Sequence, residues 1–162
     1  MTSIIFVCYA NFCRSPMAEV LCKSLLRDDE RAQDMNIRSA GINASTRGCA
    51  HPNSVQVMSE RGLDLSEHVP TQLIEEMVDS AGLVLTMETY QRDDILAQKP
   101  DAQGRVYTLL EYVNHRNATS PDMGLEIDDP YGLEVDAYRR CADETSGALR
   151  CLPIGWYMDL CE

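Results

Sequence analysis

The sequence predicts an α/β fold of three layers, in which a four-stranded parallel sheet carries helices on both faces. Short apolar runs of four or five residues alternate along the chain with longer segments whose apolar residues recur at helical spacing. Such an alternation gives right-handed crossovers and a parallel sheet covered on both sides. The length of 162 residues fits one domain, and no repeat or linker divides it. Residues 1–162 are therefore expected to form a single domain.

The first half of the chain supplies two strands. Residues 4–7 are wholly apolar and predict a buried first strand. The helix predicted at residues 16–27 follows from the spacing of Met17 and Leu21. A weaker second strand is predicted at residues 36–40, where it ends at a glycine.

The second half completes the sheet. Helical patterns at residues 51–61 and 70–78 precede a third strand at residues 83–87, and a helix through Ile95 and Leu96 follows that strand. The fourth strand is predicted at residues 106–109, and the last helix from near Leu133 to the residue before Pro153. Four strands in a chain of this length fit a flavodoxin-like sheet of order 2-1-3-4.

The charge balance excludes several classes of partner. The chain has 14 basic and 26 acidic side chains, so its formal net charge is −12. Such acidity disfavours binding to nucleic acid or to an anionic membrane surface. Seven cysteines without a regular framework are typical of reduced thiols, and the N-terminus has no basic and apolar signal pattern. We therefore expect a cytoplasmic protein, with neither a nucleic acid nor a membrane as its partner.

A candidate anion site follows the first strand directly. In open parallel sheets ligands bind beyond the carboxyl ends of the strands, here at residues 8–16. The amides of a tight loop that enters a helix can bind an anion, and Arg14 can add a bidentate fork. The same positive field stabilises Cys8 as a thiolate. Asn11 tolerates the left-handed backbone that such a loop needs, and Ser15 is predicted to cap the helix.

A candidate proton donor lies far along the chain. Asp129 precedes Pro130 in the loop before the last helix, and the proline biases it toward an extended backbone. An acid near Cys8 would protonate the oxygen that leaves phosphorus. Taken alone, these residues are more often structural: Cys8 would be a core cysteine, Arg14 a surface charge and the Asp-Pro pair a turn. The combination of a strand, the loop and a distant acid favours phosphate chemistry.

The segment 8–19 resembles the catalytic loop of the low-molecular-weight protein tyrosine phosphatases. The similarity extends through residues 38–42, 62–68, 83–87 and 129–131 and covers nearly the whole chain. The resemblance implies hydrolysis of phosphotyrosine in a protein substrate through a phosphocysteine intermediate. It assigns the nucleophile to Cys8, phosphoryl binding to Arg14, and the general acid and later base to Asp129. It implies no cofactor and no metal.

The resemblance also assigns supporting roles around the loop. Ser15 is expected to hydrogen-bond the thiolate. The network that supports the loop is expected to contain four side chains, namely Asn11, Ser15, Ser39 and His68. The remaining residues of the phosphate loop are Tyr9, Ala10, Phe12 and Cys13. The resemblance further suggests that the neighbouring Cys13 forms a reversible disulfide with the nucleophile.

The chain departs from the family pattern in three places, one of which is the segment after His68, where Val69-Pro70 stands instead of the usual arginine. Ala10 stands where glycine is usual, and a positive φ there would cost on the order of 1 kcal/mol or more. Such strain would distort the loop and lower the rate of turnover. The variable loop at residues 42–48 has no aromatic residue, so one wall that is usual in the substrate cleft is missing.

The aromatic residues near the loop favour phosphotyrosine. Tyr131 is placed to stack on an aromatic leaving group, and such a pair contributes roughly 0.5–1.5 kcal/mol. Phe12 and Tyr9 could add apolar surface, or else pack inward. Arginine phosphatases of the family tend to have threonine where Phe12 stands, so its bulk favours phosphotyrosine over phosphoarginine.

Two other functions compete with this interpretation. An arsenate reductase shares the fold and the loop but needs two further cysteines near the third strand, and residues 83–112 contain none. A catalytically weak protein that binds phosphate or phosphoproteins is conceivable if Ala10 distorts the loop. Retention of Asp129 argues against it, because a pure binder needs no acid.

Overall fold

Four parallel strands form the sheet of the computed structural model, which describes residues 3–45, 47–117, 123–153 and 155–157. The strands are β1 (Ser3–Cys8), β2 (Asn36–Gly41), β3 (Leu83–Thr86) and β4 (Val106–Thr108). The helices are α1 (Arg14–Leu25), α2 (Pro52–Glu60), α3 (Glu75–Ser80), α4 (Thr89–Gln98), α5 (Leu109–Arg116) and α6 (Val135–Cys151). The strand order is β2-β1-β3-β4, and all pairings are parallel, which confirms the predicted sheet.

Strand β1 lies inside the sheet and separates two apolar cores. Its side chains alternate between the faces, as the pleat requires. Ile4 and Phe6 contribute to the larger core with α1, α2, α5 and α6, whereas Ile5 and Val7 pack with α3 and α4. Cys8 continues the first of these faces. The strand therefore delivers Cys8 to the carboxyl edge of the sheet on the side where α1 and α6 pack.

Helix α1 begins two residues earlier than predicted. Its N-cap is Cys13, with no side-chain cap, so the prediction that Ser15 caps the helix is wrong. Ser15 lies within the first turn and is fully buried. Its hydroxyl is directed to the ends of two strands, where the sulfur of Cys8 on β1 and the carbonyl of Ala40 on β2 are its partners.

Helix α5 was absent from the sequence prediction. Its first residue, Leu109, was assigned to the fourth strand, which instead ends at Thr108. Thr108 and Glu111 form a capping box in which each side chain bonds the backbone of the other. The Thr-x-x-Glu spacing is a known start signal, but a short apolar run does not by itself distinguish a strand from a helix.

Helix α3 is shorter than predicted because the segment before it pairs with the sheet. The prediction began at residue 70, but the helix spans Glu75–Ser80. Gln72 forms an isolated parallel bridge with Gly41. The N–H of Gly41 donates to Thr71 O at 2.9 Å, and Gly41 O accepts from the N–H of Leu73 at 2.8 Å. This short extension brings Thr71 beside the loop that follows β1.

Gly41 lets β2 approach that loop closely. A Cβ atom at this position would lie 2.7 Å from Asn11 N and 2.8 Å from Tyr9 O. Both are backbone atoms, so a side chain here would displace the loop. The end of β2 is thus a platform on which residues 9–11 rest.

The helices give no sign of a membrane span. In the part of the chain that the structure describes, no helix combines the length and apolarity needed to cross a bilayer.

Candidate active site

The loop between β1 and α1 is held by hydrogen bonds from its neighbours. Cys8 O accepts from Ile42 N at 3.1 Å, and Tyr9 O accepts from Asn43 N at 2.8 Å. Further along, the carbonyl of Phe12 accepts from a backbone N–H at 2.9 Å. With its carbonyl oxygens satisfied from outside, the loop can present its N–H groups to an anion.

Asn11 supports the loop with its backbone and its side chain. Its φ is 55°, which confirms the predicted left-handed conformation. The side chain donates from Nδ2 to Ser15 Oγ at 2.8 Å and accepts the N–H of Thr71 at 2.8 Å. Its carbonyl lies 3.0 Å from Nε2 of His68. Three members of the predicted network therefore meet at Asn11, and Thr71 is an addition to it.

Ser39 differs from the predicted network. Its hydroxyl donates to Oε2 of Glu19 at 2.6 Å, on α1, rather than to the loop. The serine therefore ties β2 to α1 beside the loop.

Ala10 carries no left-handed strain. Among the described residues other than glycine, Asn11 is the one with positive φ. Ala10 therefore does not have the positive φ that would have cost stability. The left-handed turn of the loop falls one residue later, at an amino acid that tolerates it.

The thiol of Cys8 lies at the end of β1, 3.0 Å from Ser15 Oγ. Ser15 Oγ accepts from the amide of Asn11 and lies 3.3 Å from the carbonyl of Ala40. The hydroxyl proton has two acceptors within reach, the Ala40 carbonyl at 3.3 Å and the sulfur at 3.0 Å, and a negative sulfur would compete for it more strongly than a thiol. A donated hydrogen bond of this kind stabilises a thiolate relative to a thiol.

Arg14 is 1% exposed, although it carries a full charge. Its guanidinium donates to Glu88 Oε2 at 2.7 Å, to the carbonyl of Ile127 at 2.9 Å and to Asp129 Oδ2 at 2.9 Å. Burial alone would lower the pKa of Arg14, but the charges of Asp129, Cys8 and Glu88 outweigh it and raise that pKa. The guanidinium is therefore charged and fixed in one orientation.

Glu88 was not identified from the sequence. It is the N-cap of α4, where it forms a capping box with Gln91, and it also accepts from Gln91 Nε2 at 2.9 Å. A signal was present, because Glu88 follows β3, the neighbour of β1, at the same carboxyl edge. The position of a carboxylate two residues after a central strand would have been sufficient to suggest it.

Replacing Glu88 with glutamine is expected to lower kcat for an aryl phosphate about 10- to 100-fold. Loss of the charged anchor leaves the Arg14 guanidinium free to shift, and a small displacement of a positioning group is costly. Steady-state kinetics with p-nitrophenyl phosphate measure the effect. The matched control is Glu60→Gln, which breaks an ion pair with Arg139 on the outside of the molecule. Equal kcat in Glu88→Gln and Glu60→Gln would contradict the anchoring role.

Asp129 meets the loop from the opposite side. Its side chain is 43% exposed, with Oδ2 on Arg14 and Oδ1 accepting the N–H of Tyr131 at 3.1 Å. The loop that carries it is joined to the end of β3, since Ile127 N donates to Met87 O at 2.8 Å. The predicted acid and the predicted phosphate loop are thus brought together across 115 residues.

These groups line a cleft of about 320 Å³. Every predicted residue from 8 to 14 except Asn11 contributes to it, and Asp129 and Tyr131 close the other side. Tyr9 and Tyr131 are 46% and 63% exposed, so neither packs inward. The phenol of Tyr9 is held at the rim, where it accepts from Asn43 Nδ2 at 2.6 Å. Phe12 both lines the cleft and packs against the larger core, so it supplies apolar surface to the cleft and also points partly inward.

The other thiols near the site are buried. Burial raises the pKa of Cys13 to about 11, and the Cys13 thiol lies 3.8 Å from Tyr138 Oη, to which it donates. Burial likewise raises the pKa values of Cys22 and Cys141 to about 12. Cys8 and Cys13 are both free thiols. Cys161 lies outside the described residues.

Comparison with known proteins agrees with this geometry. Residues 3–153 match the family model described as low molecular weight phosphotyrosine protein phosphatase. A protein-arginine-phosphatase of Bacillus subtilis is 39% identical over 149 residues, which cover 92% of this chain and 93% of that protein. A probable low molecular weight protein-tyrosine-phosphatase of Ralstonia solanacearum is 35% identical over 136 residues, which cover 84% and 83% of the two chains.

A solved structure agrees with the fold as well. The low molecular weight protein tyrosine phosphatase from T. tengcongensis superposes with a TM-score of 0.81 at 30% identity, covering 93% of this chain and 97% of that one. From the family match, the relatives and the shared fold, we conclude that this chain belongs to the low molecular weight phosphotyrosine protein phosphatase family.

Proposed function

We propose that this enzyme hydrolyses phosphotyrosine in protein substrates through a phosphocysteine intermediate on Cys8. The observation that carries the proposal is the cleft itself. It places a thiol, a buried guanidinium and a carboxylic acid together under the aromatic side chains of Tyr9 and Tyr131. The chain is a phosphoric monoester hydrolase by family, and these groups assign its chemistry to particular atoms.

The first step transfers the phosphoryl group to sulfur. The Cys8 thiolate attacks phosphorus, an S–P bond forms, and the bond between phosphorus and the phenolic oxygen breaks. The phosphoryl group displaces Asp129 from Arg14, and Asp129 in its protonated form donates its proton to the leaving oxygen, so tyrosine departs as a neutral phenol. Arg14 and the loop amides bind the remaining phosphoryl oxygens, whose charge is spread over them in the transition state.

The second step releases phosphate and restores the enzyme. Asp129, now ionised, removes a proton from a water molecule that attacks phosphorus. The S–P bond breaks, and its electron pair returns to Cys8 as a thiolate. Ser15 supports this departure, because its hydroxyl lies 3.0 Å from the sulfur that becomes negative. Asn11 and His68 keep the loop in shape through the contacts described above.

The aromatic walls support phosphotyrosine as the substrate. Phe12 lines the cleft and adds an aromatic ring to its surface. A flat ring between Tyr9 and Tyr131 would gain from stacking on either of them. Phosphoarginine is the second candidate, favoured by the 39% identity to a relative that is named a protein-arginine-phosphatase.

The test compares two phosphopeptides that differ only in the phosphorylated residue. We expect the wild type to have a higher kcat/KM for the phosphotyrosine peptide. In Phe12→Thr the ratio of phosphoarginine to phosphotyrosine kcat/KM should rise about tenfold, within the range that changes of pocket size produce. The matched control is Ile74→Thr, since Ile74 is half-exposed and lines a different cavity. Faster hydrolysis of phosphoarginine by the wild type would replace the proposed substrate with the second candidate.

The proposed cellular setting is the cytoplasm. The six cysteines that lie within the described segments are free thiols, which is typical of a reducing compartment. Reduction of arsenate is disfavoured by the lack of further cysteines at residues 83–112. A weak phosphate-binding role loses its main support, because Ala10 is unstrained.

A further inference from the structure

The Tyr131 ring stands on an exposed loop and needs a partner to hold it over the cleft. Its backbone N–H is fixed by Asp129, but that bond leaves the side chain free to rotate. Within the described segments, the ring has one aromatic neighbour, His51. The two centroids are 5.8 Å apart and the planes are inclined at 78°, an edge-to-face arrangement.

His51 is itself held from three sides. Its backbone N–H donates to the carbonyl of Phe12 at 2.9 Å, so it is joined to the phosphate loop. Its ring nitrogen Nδ1 accepts the N–H of Asn53 at 3.2 Å and thereby caps α2. The ring stacks on Tyr138, with centroids 5.0 Å apart and an angle of 18°. Tyr138 is fully buried in the larger core, so this stack is a rigid support.

We propose that His51 is a positioning residue that fixes Tyr131 as an aromatic wall of the cleft. The inference rests on the proposed function and adds a determinant of its preference for aromatic leaving groups. A wall that is already oriented loses little rotamer freedom when a substrate ring stacks on it. Because His51 also contacts Phe12, it keeps the wall in register with the phosphate loop. A ligand that has no ring gains nothing from this arrangement.

Two variants separate the ring of His51 from its capping role. His51→Asn keeps a side-chain acceptor for the Asn53 amide and removes the ring. It should raise KM for p-nitrophenyl phosphate about 3- to 10-fold, with little change in kcat. The inhibition constant of inorganic phosphate, which has no ring, should stay constant. His51→Phe keeps a ring and removes the acceptor, so it should restore KM and lower the melting temperature.

A double-mutant cycle connects the effect to Tyr131. In a Tyr131→Ala background, His51→Asn should raise KM no further, because the wall that it orients is gone. The proposal is overturned if the rise persists in that background, or if His51→Asn leaves KM unchanged in the wild type. An equal rise in the inhibition constant of phosphate would also overturn it, since the histidine would then act through the phosphate loop.

A spectroscopic measurement keeps this proposal separate from the proposed function. In protein with ¹³C-labelled tyrosine rings, the ring signals of Tyr131 should shift in His51→Asn and return toward the wild-type position in His51→Phe. Unchanged Tyr131 signals in His51→Asn would refute the contact in solution. This readout needs no substrate, so a wild type that hydrolyses neither phosphopeptide would refute the proposed function alone.

Discussion

Hydrolysis of p-nitrophenyl phosphate by Cys8→Ser is expected to fall on the order of 10⁴-fold or more below the wild type. The hydroxyl of serine is far less acidic than a thiol and is not ionised at neutral pH, so the nucleophile is lost. Arg14, Asp129 and the loop would remain, but they have no attacking group to serve. The measurement is the rate between pH 4.5 and 8 with purified proteins.

The control for this substitution is Cys49→Ser. Cys49 is exposed and does not line the cleft, so its replacement should leave the rate close to that of the wild type. A melting temperature of Cys8→Ser within a few degrees of the wild type would show that the loss is chemical. Substantial turnover by a folded Cys8→Ser protein would rule out the thiol as nucleophile.

Replacing Asp129 with alanine is expected to lower kcat by about 10² to 10⁴, the usual contribution of a positioned acid. The size of the loss should depend on the leaving group. Phenolate is a poorer leaving group than p-nitrophenolate, so phenyl phosphate should be affected more strongly.

Asp128→Ala is the matched control, since it removes the adjacent exposed carboxylate and leaves Asp129 on Arg14. It should leave kcat for both substrates near that of the wild type. If Asp129→Ala slowed both leaving groups equally, Asp129 would act by orienting Arg14 rather than as an acid. The two substrates therefore distinguish proton transfer from positioning.

The parts of the fold that were predicted well depend on local patterns. The run at residues 4–7 is apolar at every position, and β1 is buried on both faces. The strand order followed from the alternation of strands and helices, since few arrangements satisfy right-handed crossovers. The boundary at Thr108 was missed because Leu109 is apolar and reads equally well as the end of a strand or the start of a helix.

The parts of the site that the sequence did not predict depend on contacts between segments that lie far apart along the chain. Cys8 and Arg14 lie on one short loop, so spacing alone connects them. Glu88 reaches Arg14 only because β3 lies next to β1. His51 is similar, since its contact with Tyr131 joins the start of α2 to the loop before α6. No pattern within a single segment indicates the contact of His51, and the position of Glu88 is informative only once β3 is placed next to β1.

The position of Ser15 illustrates a different limit. A serine beside a proline at the start of a helix predicts a cap, and this rule is sound for exposed helix ends. Here the first turn is buried against the sheet, and the hydroxyl is used by Cys8 and Asn11. The hydroxyl of Ser15 forms hydrogen bonds within the active site and therefore does not cap the helix.

The amide hydrogens that are donated to the carbonyl oxygens of the phosphate loop should be protected from hydrogen exchange. Ile42 and Asn43 donate their amide hydrogens to Cys8 and Tyr9, on the platform formed by the end of β2. These hydrogens are released only if the edge of the sheet and the loop separate, so they should exchange more slowly than their position at the surface suggests. The loop that binds phosphate is thus expected to open together with the edge of the sheet. The segment that carries Asp129 is tied to the same end of the sheet by the backbone bond from Ile127 to Met87 and by bonds from the Arg14 side chain and the Thr89 amide.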